Sequence, residues 1–157
     1  MSGRGHCISS MIIVSACLTG ANCTYKGGNN LDKRLKDMVE GGRAVPVCPE
    51  ELGGLGTPRH RAEIAGGDGK DVLAGRARVL SAAGRDVTKN YIAGARASLK
   101  KAREHGVKLA VFKSNSPACG LGRIYDGTFG KKMKRGNGVC AQLFLDSGIF
   151  VMTERDL

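Results

Sequence analysis

Short apolar runs recur along this chain, and they constrain its fold more than any other feature of the sequence. Four of them predict strands, at residues 11–15, 44–48, 108–112 and 149–152. A strand that is covered on both faces is apolar at nearly every position, as in parallel sheets. The runs therefore indicate buried parallel strands. Pro46 lies in the second run and places it at a sheet edge or a strand start, because proline cannot donate to a β-ladder.

Segments with helical periodicity lie between these runs. Residues 31–39 repeat apolar side chains at helical spacing, with Asp32 near the start and two glycines after the end. Residues 88–105 predict a long helix with Thr88 as its N-cap, and residues 139–145 predict another helix. Because strands and helices alternate, we expect an α/β fold: a single-domain, Rossmann-like, three-layer arrangement with a mostly parallel sheet and right-handed crossovers.

The rest of the chain gives weaker signals. Residues 49–71 are rich in glycine and proline, and we interpret them as an irregular loop with a functional role. Residues 77–87 suggest a small hairpin. The polar residues 1–10 are expected to form a flexible tail, which leaves residues 11–157 as the folded domain.

The charge balance is strongly basic. The chain has 25 Lys and Arg against 14 Asp and Glu, a formal net charge of +11, which favours contact with phosphate or other anions. The densest basic cluster, residues 131–135, is interpreted as a solvated loop or as a phosphate or RNA contact. No apolar run is long enough to span a bilayer and the first residues do not resemble a signal peptide, so we expect a cytoplasmic protein without a membrane partner.

The cysteines carry the most chemical information. The chain has six, and in a reducing compartment they are unlikely to form three disulfides. Cys17 follows the first predicted strand, Cys48 ends the second and Cys119 follows the third. Because ligands bind outside the carboxyl ends of parallel strands, these three thiols should meet at one edge of the sheet. Cys7 falls in the tail, and Cys140 is expected in the core.

Several uses of these thiols remain open at this point: an iron–sulfur cluster, zinc, redox chemistry or simple packing. Thiolates hold iron–sulfur clusters, and a [4Fe–4S] cluster with three protein ligands leaves one iron open. Zinc is disfavoured because the chain lacks a CxxC pair and its histidines do not stand at ligand spacing. Cys23 is interpreted as a spare thiol near the cluster or as a packed residue.

Five sequence segments resemble the thiouracil desulfidase family. They are VSACLTG at residues 14–20, VCPEELGGL at 47–55, TPRHRAEI at 57–64, KSNSPACG at 113–120 and IYDGTF at 124–129. The resemblance implies an α/β fold and a [4Fe–4S] cluster held by Cys17, Cys48 and Cys119. It also implies conversion of thiouracil and water to uracil and hydrogen sulfide without net redox chemistry.

Candidate catalytic residues lie beside the cysteines. Attack of water on the ring carbon needs a group that takes and returns a proton, and Glu50, two residues from Cys48, is our choice. The family pattern favours Ser116 to hold the water or a pyrimidine oxygen. The alternatives are a surface carboxylate for Glu50 and a turn residue for Ser116.

Candidate substrate-binding residues are Lys113 and Arg59, which, with Arg61, would bring positive charge to the mouth of the site, and Asp126, which would orient one of them. For each, a salt bridge or a turn contact is the alternative.

Two other functions compete with desulfuration of a free base. The chain would be an RNA-binding or nucleotide-binding protein if the cluster, or a zinc ion, were only structural. Alternatively, the substrate would be a thiolated nucleotide whose phosphate meets the basic loops. The sequence does not indicate an oligomeric state.

Overall fold

The computed structural model describes residues 11–157; the predicted tail at residues 1–10, with Cys7, lies outside the described residues. In chain order the elements are β1 (Ile12–Ser15), a 3₁₀ turn (Ala16–Thr19), α1 (Lys33–Glu40), β2 (Ala44–Val47), α2 (Pro49–Leu52), β3 (Ala62–Ala65), α3 (Gly69–Leu73), β4 (Arg78–Ser81), α4 (Thr88–Glu104), β5 (Leu109–Phe112), β6 (Arg123–Tyr125), β7 (Met133–Arg135), α5 (Val139–Asp146), β8 (Phe150–Thr153) and a 3₁₀ turn (Glu154–Asp156).

The main sheet has four parallel strands in the order β2–β1–β5–β8. Ile13 of β1 lies opposite Val45 of β2 on one side and Ala110 of β5 on the other. The four apolar runs are these four strands, and the strand with Pro46 is at an edge, as predicted. The chain leaves β1 toward β2 and later continues from β5 toward β8. The direction of winding therefore reverses between β1 and β5, where open α/β sheets bind ligands.

Helices cover both faces of this sheet. Ile12 and Val14 of β1 pack with Leu35 of α1 on one face. Ile13 points to the other face and belongs to the larger core, which includes Ala95 of α4 and Phe144 of α5. The predicted three-layer α/β fold with a parallel sheet is confirmed. No helix among residues 11–157 is long and apolar enough to cross a membrane.

The interpretation of residues 49–71 as an irregular loop is wrong. This segment contains α2, β3 and α3. Pro49 takes the first position of α2, where its missing N–H has no cost. The Asp68 carboxylate caps α3 by accepting hydrogen bonds from the amides of Lys70 and Asp71. The glycines therefore end short elements instead of preventing them.

The predicted hairpin at residues 77–87 is only partly present. β4 pairs along its length with β3, and residues 83–87 contribute one bridge, between Asp86 and Leu80. Thr88 is not the N-cap of α4, because Val87 holds that position. The Thr88 hydroxyl instead accepts a hydrogen bond from the Val79 amide at 2.9 Å. A contact from β4 thus replaces the local cap.

The basic cluster at residues 131–135 is not simply a loop. Its last three residues form β7, which pairs antiparallel with β6. Lys131 and Lys132 precede this strand and are exposed. The Lys134 ammonium donates to the Ile64 carbonyl at 3.1 Å and so joins this two-stranded ribbon to β3.

Helices α2 and α4 approach each other backbone to backbone. A Cβ atom at Gly94 would overlap the Pro49 carbonyl oxygen, and one at Gly53 would overlap the Asn90 carbonyl oxygen. The Asn90 side-chain amide also donates to the Gly53 carbonyl at 2.8 Å. Only glycine permits this separation. This close contact fixes the position of α2, which belongs to the VCPEELGGL segment at residues 47–55.

Candidate active site

A cavity of about 490 Å³ opens at the carboxyl ends of β1, β2 and β5. Its wall includes Cys17, Cys23, Cys48 and Cys119. The three thiols predicted to meet at this edge of the sheet therefore share one cavity with a fourth.

Cys17 and Cys48 lie directly after β1 and β2. Cys17 is in the 3₁₀ turn, where its carbonyl accepts a hydrogen bond from the Asn30 amide at 2.8 Å. Cys48 is the N-cap residue of α2. Both side chains are half-buried. Neighbouring parallel strands thus bring two accessible thiols to the same edge of the sheet.

Cys119 is held in a tight turn under the start of α5. The Ser116 hydroxyl oxygen accepts hydrogen bonds from the amides of Ala118, at 3.1 Å, and of Cys119, at 2.7 Å. The first amides of α5 then donate to this turn, Val139 to the Pro117 carbonyl at 2.9 Å. Amides in the first turn of a helix have no partner within the helix, so the turn satisfies them. Both sets of bonds position a buried Cys119 at the cavity.

Cys23 connects two of the other thiols. The Cys48 thiol lies 3.8 Å from the Cys23 carbonyl and donates to it. The Cys23 side chain interacts with those of Cys17 and Cys48, and this interaction lowers the pKa of Cys17 and of Cys48. The same interaction raises the pKa of Cys23. Burial raises the pKa of Cys119. Cys140 is buried beside Ser98, outside the cavity wall, as predicted for a core residue.

The donor set at the cavity is dominated by sulfur. Soft thiolates suit iron–sulfur clusters and zinc better than they suit magnesium or calcium. Within residues 11–157, no three His, Cys, Asp or Glu side chains converge as the ligands of one metal ion do.

Glu50 projects from the first turn of α2 into the same cavity. Its side chain is 14% exposed, and one carboxylate oxygen lies 3.9 Å from the Arg59 guanidinium. The Cys48 thiol approaches the other oxygen at 3.8 Å. Burial raises the pKa of Glu50, and the Arg59 charge opposes that shift. The carboxylate is therefore placed between a thiol and a cation.

Arg59 braces the cavity wall. Its guanidinium donates to the Cys23 carbonyl at 2.9 Å and to the Gly56 carbonyl at 3.2 Å. Lys113 is also in the wall, and its ammonium pairs with the Glu154 carboxylate at 3.2 Å. Both predicted cations therefore reach the site, and each already has a partner.

Of the remaining predicted residues, Ser116 lies in the cavity wall and Asp126 does not. Ser116 is in the wall, although its hydroxyl oxygen is also the turn acceptor described above. Asp126 is not in the wall: its carboxylate accepts hydrogen bonds from the Thr128 amide, at 3.0 Å, and hydroxyl, at 2.6 Å. The structure therefore does not bring Asp126 to Lys113 or Arg59.

Glu63 and Tyr91 are two of the wall residues that the sequence did not predict. Glu63 is 2% exposed, and its carboxylate accepts hydrogen bonds from the amides of Gly127, at 3.0 Å, and Phe129, at 3.1 Å. Tyr91 of α4 is 3% exposed and faces the cavity. The sequence context of each residue could have indicated its position. A charged residue within an apolar strand, or a tyrosine on the buried face of a helix, needs a polar partner.

Comparison with known proteins identifies the family of this chain. A sequence profile of the family described as 2-thiouracil desulfurase matches residues 12–156. This chain belongs to the 2-thiouracil desulfurase family. The resemblance seen in five short motifs is thereby confirmed.

One curated protein and one solved structure are similar to this chain. The uncharacterized protein YbbK of Bacillus subtilis (strain 168) is 45% identical over 147 residues, which cover 94% of this chain and 97% of that protein. The solved structure of a [4Fe–4S]-dependent thiouracil desulfidase, TudS, is similar with a TM-score of 0.83 and 37% identity, covering 94% of this chain and 93% of that one. The similarity therefore extends over nearly the whole chain.

Proposed function

We propose that this protein removes sulfur from a thiolated pyrimidine, converting thiouracil and water to uracil and hydrogen sulfide. Membership of the 2-thiouracil desulfurase family and the similarity to TudS support the reaction class. The observation that carries the proposal is the cavity in which Cys17, Cys48 and Cys119 meet a buried carboxylate, Glu50. The cavity volume, about 490 Å³, is in the range of small-molecule sites.

The cofactor of this proposal is a [4Fe–4S] cluster held by Cys17, Cys48 and Cys119. The donor chemistry fits, because thiolates are the usual ligands of such clusters. When bound, a cluster with three protein ligands supplies a Lewis-acidic iron that accepts the substrate's sulfur. Cys23 then remains as a fourth thiol in the wall.

Glu50 moves the proton in this mechanism. Its carboxylate takes one proton from water as the water oxygen bonds to the ring carbon that carries sulfur, and gives this proton to the departing sulfur. The second proton leaves the new oxygen as the carbonyl forms and also passes through Glu50 to sulfur, so that water and thiouracil yield uracil and hydrogen sulfide. Arg59, at 3.9 Å, orients the carboxylate.

Ser116 and Lys113 bind the reacting molecules in this proposal. The Ser116 oxygen accepts two amide hydrogen bonds, which leaves its O–H to donate to the water or to a pyrimidine oxygen. Lys113 and Arg59 add positive charge to the mouth of the cavity.

We assign this activity to residues 11–157 as one domain, because the cavity is built from β1, α2 and the turn after β5, which are distant in sequence. The cavity cysteines are free thiols, which suits the reducing cytoplasm.

The decisive experiment is anaerobic reconstitution followed by assays of iron, sulfide and thiouracil absorbance. We expect about four irons and four inorganic sulfides per chain, with loss of thiouracil matched by uracil and released sulfide. A protein that stays colourless after careful reconstitution, or a loaded protein that leaves thiouracil unchanged, contradicts the proposal.

The size of the substrate needs a separate test. Lys26 and Arg61 also line the cavity wall, which gives it a basic character suited to a phosphate group. Turnover of thiouracil, its nucleoside and its nucleotide should be compared. A preference for the uncharged base removes any need for a phosphate contact. An RNA-binding role instead predicts affinity that falls steeply between about 50 and 200 mM salt.

A further inference from the structure

Tyr91 is the one tyrosine of the described chain that is fully buried and still lines the cavity. It lies in the first turn of α4, is 3% exposed, and belongs to the wall that also holds Glu50 and Cys119. No role in the mechanism above uses it.

The Tyr91 hydroxyl has no hydrogen-bond partner among residues 11–157. Burial raises its pKa well above the usual value, and the charges that modify it belong to Glu50, Arg59, Cys119 and Cys48. Tyr91 itself lines the cavity wall together with these residues. Buried tyrosine hydroxyls normally find a partner, and one left unpaired is costly. The hydroxyl is therefore available to a molecule that enters the cavity.

We propose that the Tyr91 hydroxyl donates a hydrogen bond to the oxygen atom that replaces sulfur on the pyrimidine ring. This inference rests on the proposed function. Tyr91 and Glu50 line the same cavity, so the hydroxyl shares this space with the group that takes the water's protons. The donor thus faces the attacking oxygen.

The chemistry of the step keeps Tyr91 protonated throughout. The water oxygen bonds to the ring carbon as one of its protons passes to Glu50. The carbon–sulfur bond then breaks, its electron pair leaves with sulfur, and Glu50 gives sulfur that proton. The second proton leaves the new oxygen as the carbonyl forms and passes through Glu50 to sulfur, which departs as hydrogen sulfide. Tyr91 only donates a hydrogen bond to the new oxygen, which becomes the carbonyl of uracil.

Such a donor stabilises the transition state more than it stabilises the bound substrate. A carbonyl oxygen accepts hydrogen bonds more strongly than a thiocarbonyl sulfur, so the bond from Tyr91 strengthens as oxygen replaces sulfur. Interactions that are stronger in the transition state raise kcat with little effect on KM. The same bond also favours binding of uracil.

The test compares reconstituted wild-type enzyme with Tyr91→Phe. We expect kcat to fall about 10- to 100-fold with KM changed less than about threefold and iron content unchanged. Ser98→Ala is the matched control, because it removes another buried hydroxyl from α4 that bonds Gly94 and lies outside the cavity wall. Wild-type kcat in Tyr91→Phe overturns the inference.

Two further measurements separate this inference from the proposed function. Uracil, used as the probe, should bind Tyr91→Phe about tenfold more weakly than wild type, the loss typical of one hydrogen bond. The melting temperature of ligand-free Tyr91→Phe should equal or exceed that of wild type, because an unpaired hydroxyl is removed. If uracil affinity is unchanged and the melting temperature falls, Tyr91 is structural and the inference fails. If wild type does not turn over thiouracil, the proposed function fails, and uracil affinity alone still decides the role of Tyr91.

Discussion

The Arg59 guanidinium donates a hydrogen bond to the backbone carbonyl of Cys23, with 2.9 Å between nitrogen and oxygen. The bond joins the loop after the first 3₁₀ turn to the loop after α2. The Cys48 thiol donates to the same Cys23 carbonyl at 3.8 Å. One cation therefore supports the Cys23 backbone that the Cys48 thiol contacts and, through its 3.9 Å contact, the Glu50 carboxylate.

Arg59→Lys should weaken this support. An ammonium keeps the charge but loses the planar fork that reaches both the Cys23 and Gly56 carbonyls. We expect the reconstituted variant to lose iron faster than wild type on dilution under anaerobic conditions, and to turn over at least about tenfold more slowly, within the usual cost of a displaced catalytic group. Arg76→Lys, whose side chain pairs with Asp71 at the surface, is the control. Equal iron retention and turnover in Arg59→Lys and wild type would show that the brace is dispensable.

Cys48→Ala should abolish cluster binding, whereas Cys140→Ala should not. Cys48 is in the cavity wall, and Cys140 is fully buried in the core outside it. Iron and sulfide content and the visible absorbance after reconstitution report the result. Some loss of stability is expected in Cys140→Ala, because a buried side chain is shortened. The ligand assignment is wrong if Cys140→Ala bleaches the protein while Cys48→Ala keeps its colour.

Glu50→Gln should retain the cluster and lose turnover. The amide keeps the shape of the side chain but cannot take a proton from water, so kcat should fall about 100-fold or more. Iron content and absorbance should match those of wild type. Glu51→Gln, on the exposed side of α2, is the matched control. A Glu50→Gln enzyme with wild-type kcat would remove Glu50 from the mechanism.

Gly94→Ala should destabilise the protein severely. The added Cβ would overlap the Pro49 carbonyl, so α2 and α4 would have to separate. Overpacking against backbone should cost about 3 kcal/mol or more in the free energy of unfolding, measured by urea denaturation. In Gly56→Ala no atom lies within 4 Å of the added Cβ, so its stability should stay near that of wild type. Similar stabilities for the two variants would contradict the close packing of these helices.

Glu63→Ala should loosen the segment that follows β6. The substitution leaves the half-buried amides of Gly127 and Phe129 without their acceptor, at about 1 kcal/mol for each hydrogen bond lost. Glu63→Gln keeps a carbonyl oxygen for both amides and should lose much less. Hydrogen exchange at Gly127 and Phe129, together with urea denaturation, checks the difference. Unchanged protection of both amides in Glu63→Ala would mean that other contacts hold the segment.

Local patterns predicted some elements correctly and failed for others. The run at residues 11–15 is readable because β1 is covered on both faces, so all four of its residues are buried. The segment at residues 49–71 was misread because β3 is a strand only through its pairing with β4, and α2 is stabilised by contact with α4. Thr88 was misassigned for the same reason, since its hydroxyl serves the Val79 amide of a neighbouring strand.

In the candidate site, too, local sequence patterns predicted some residues, and tertiary contacts decided the position of others. Cys17, Cys48 and Cys119 were identified because each follows a predicted strand, and the ends of parallel strands meet at one edge. The proximity of Cys23 to two of them depends on how the loop at residues 20–30 folds back. Asp126 stays with Thr128 because a short local turn satisfies its carboxylate.

The amino-acid sequence alone determined the order of the four main-sheet strands and of α1, α4 and α5, the thiols at the strand ends and the family resemblance. These follow from residue types and their spacing along the chain. Only the tertiary structure decided that Tyr91 and Glu63 reach the cavity, that Arg59 holds the Cys23 loop, and that glycines join α2 to α4. Such contacts connect residues that are distant in sequence, and their energies depend on packing and burial that no local pattern specifies.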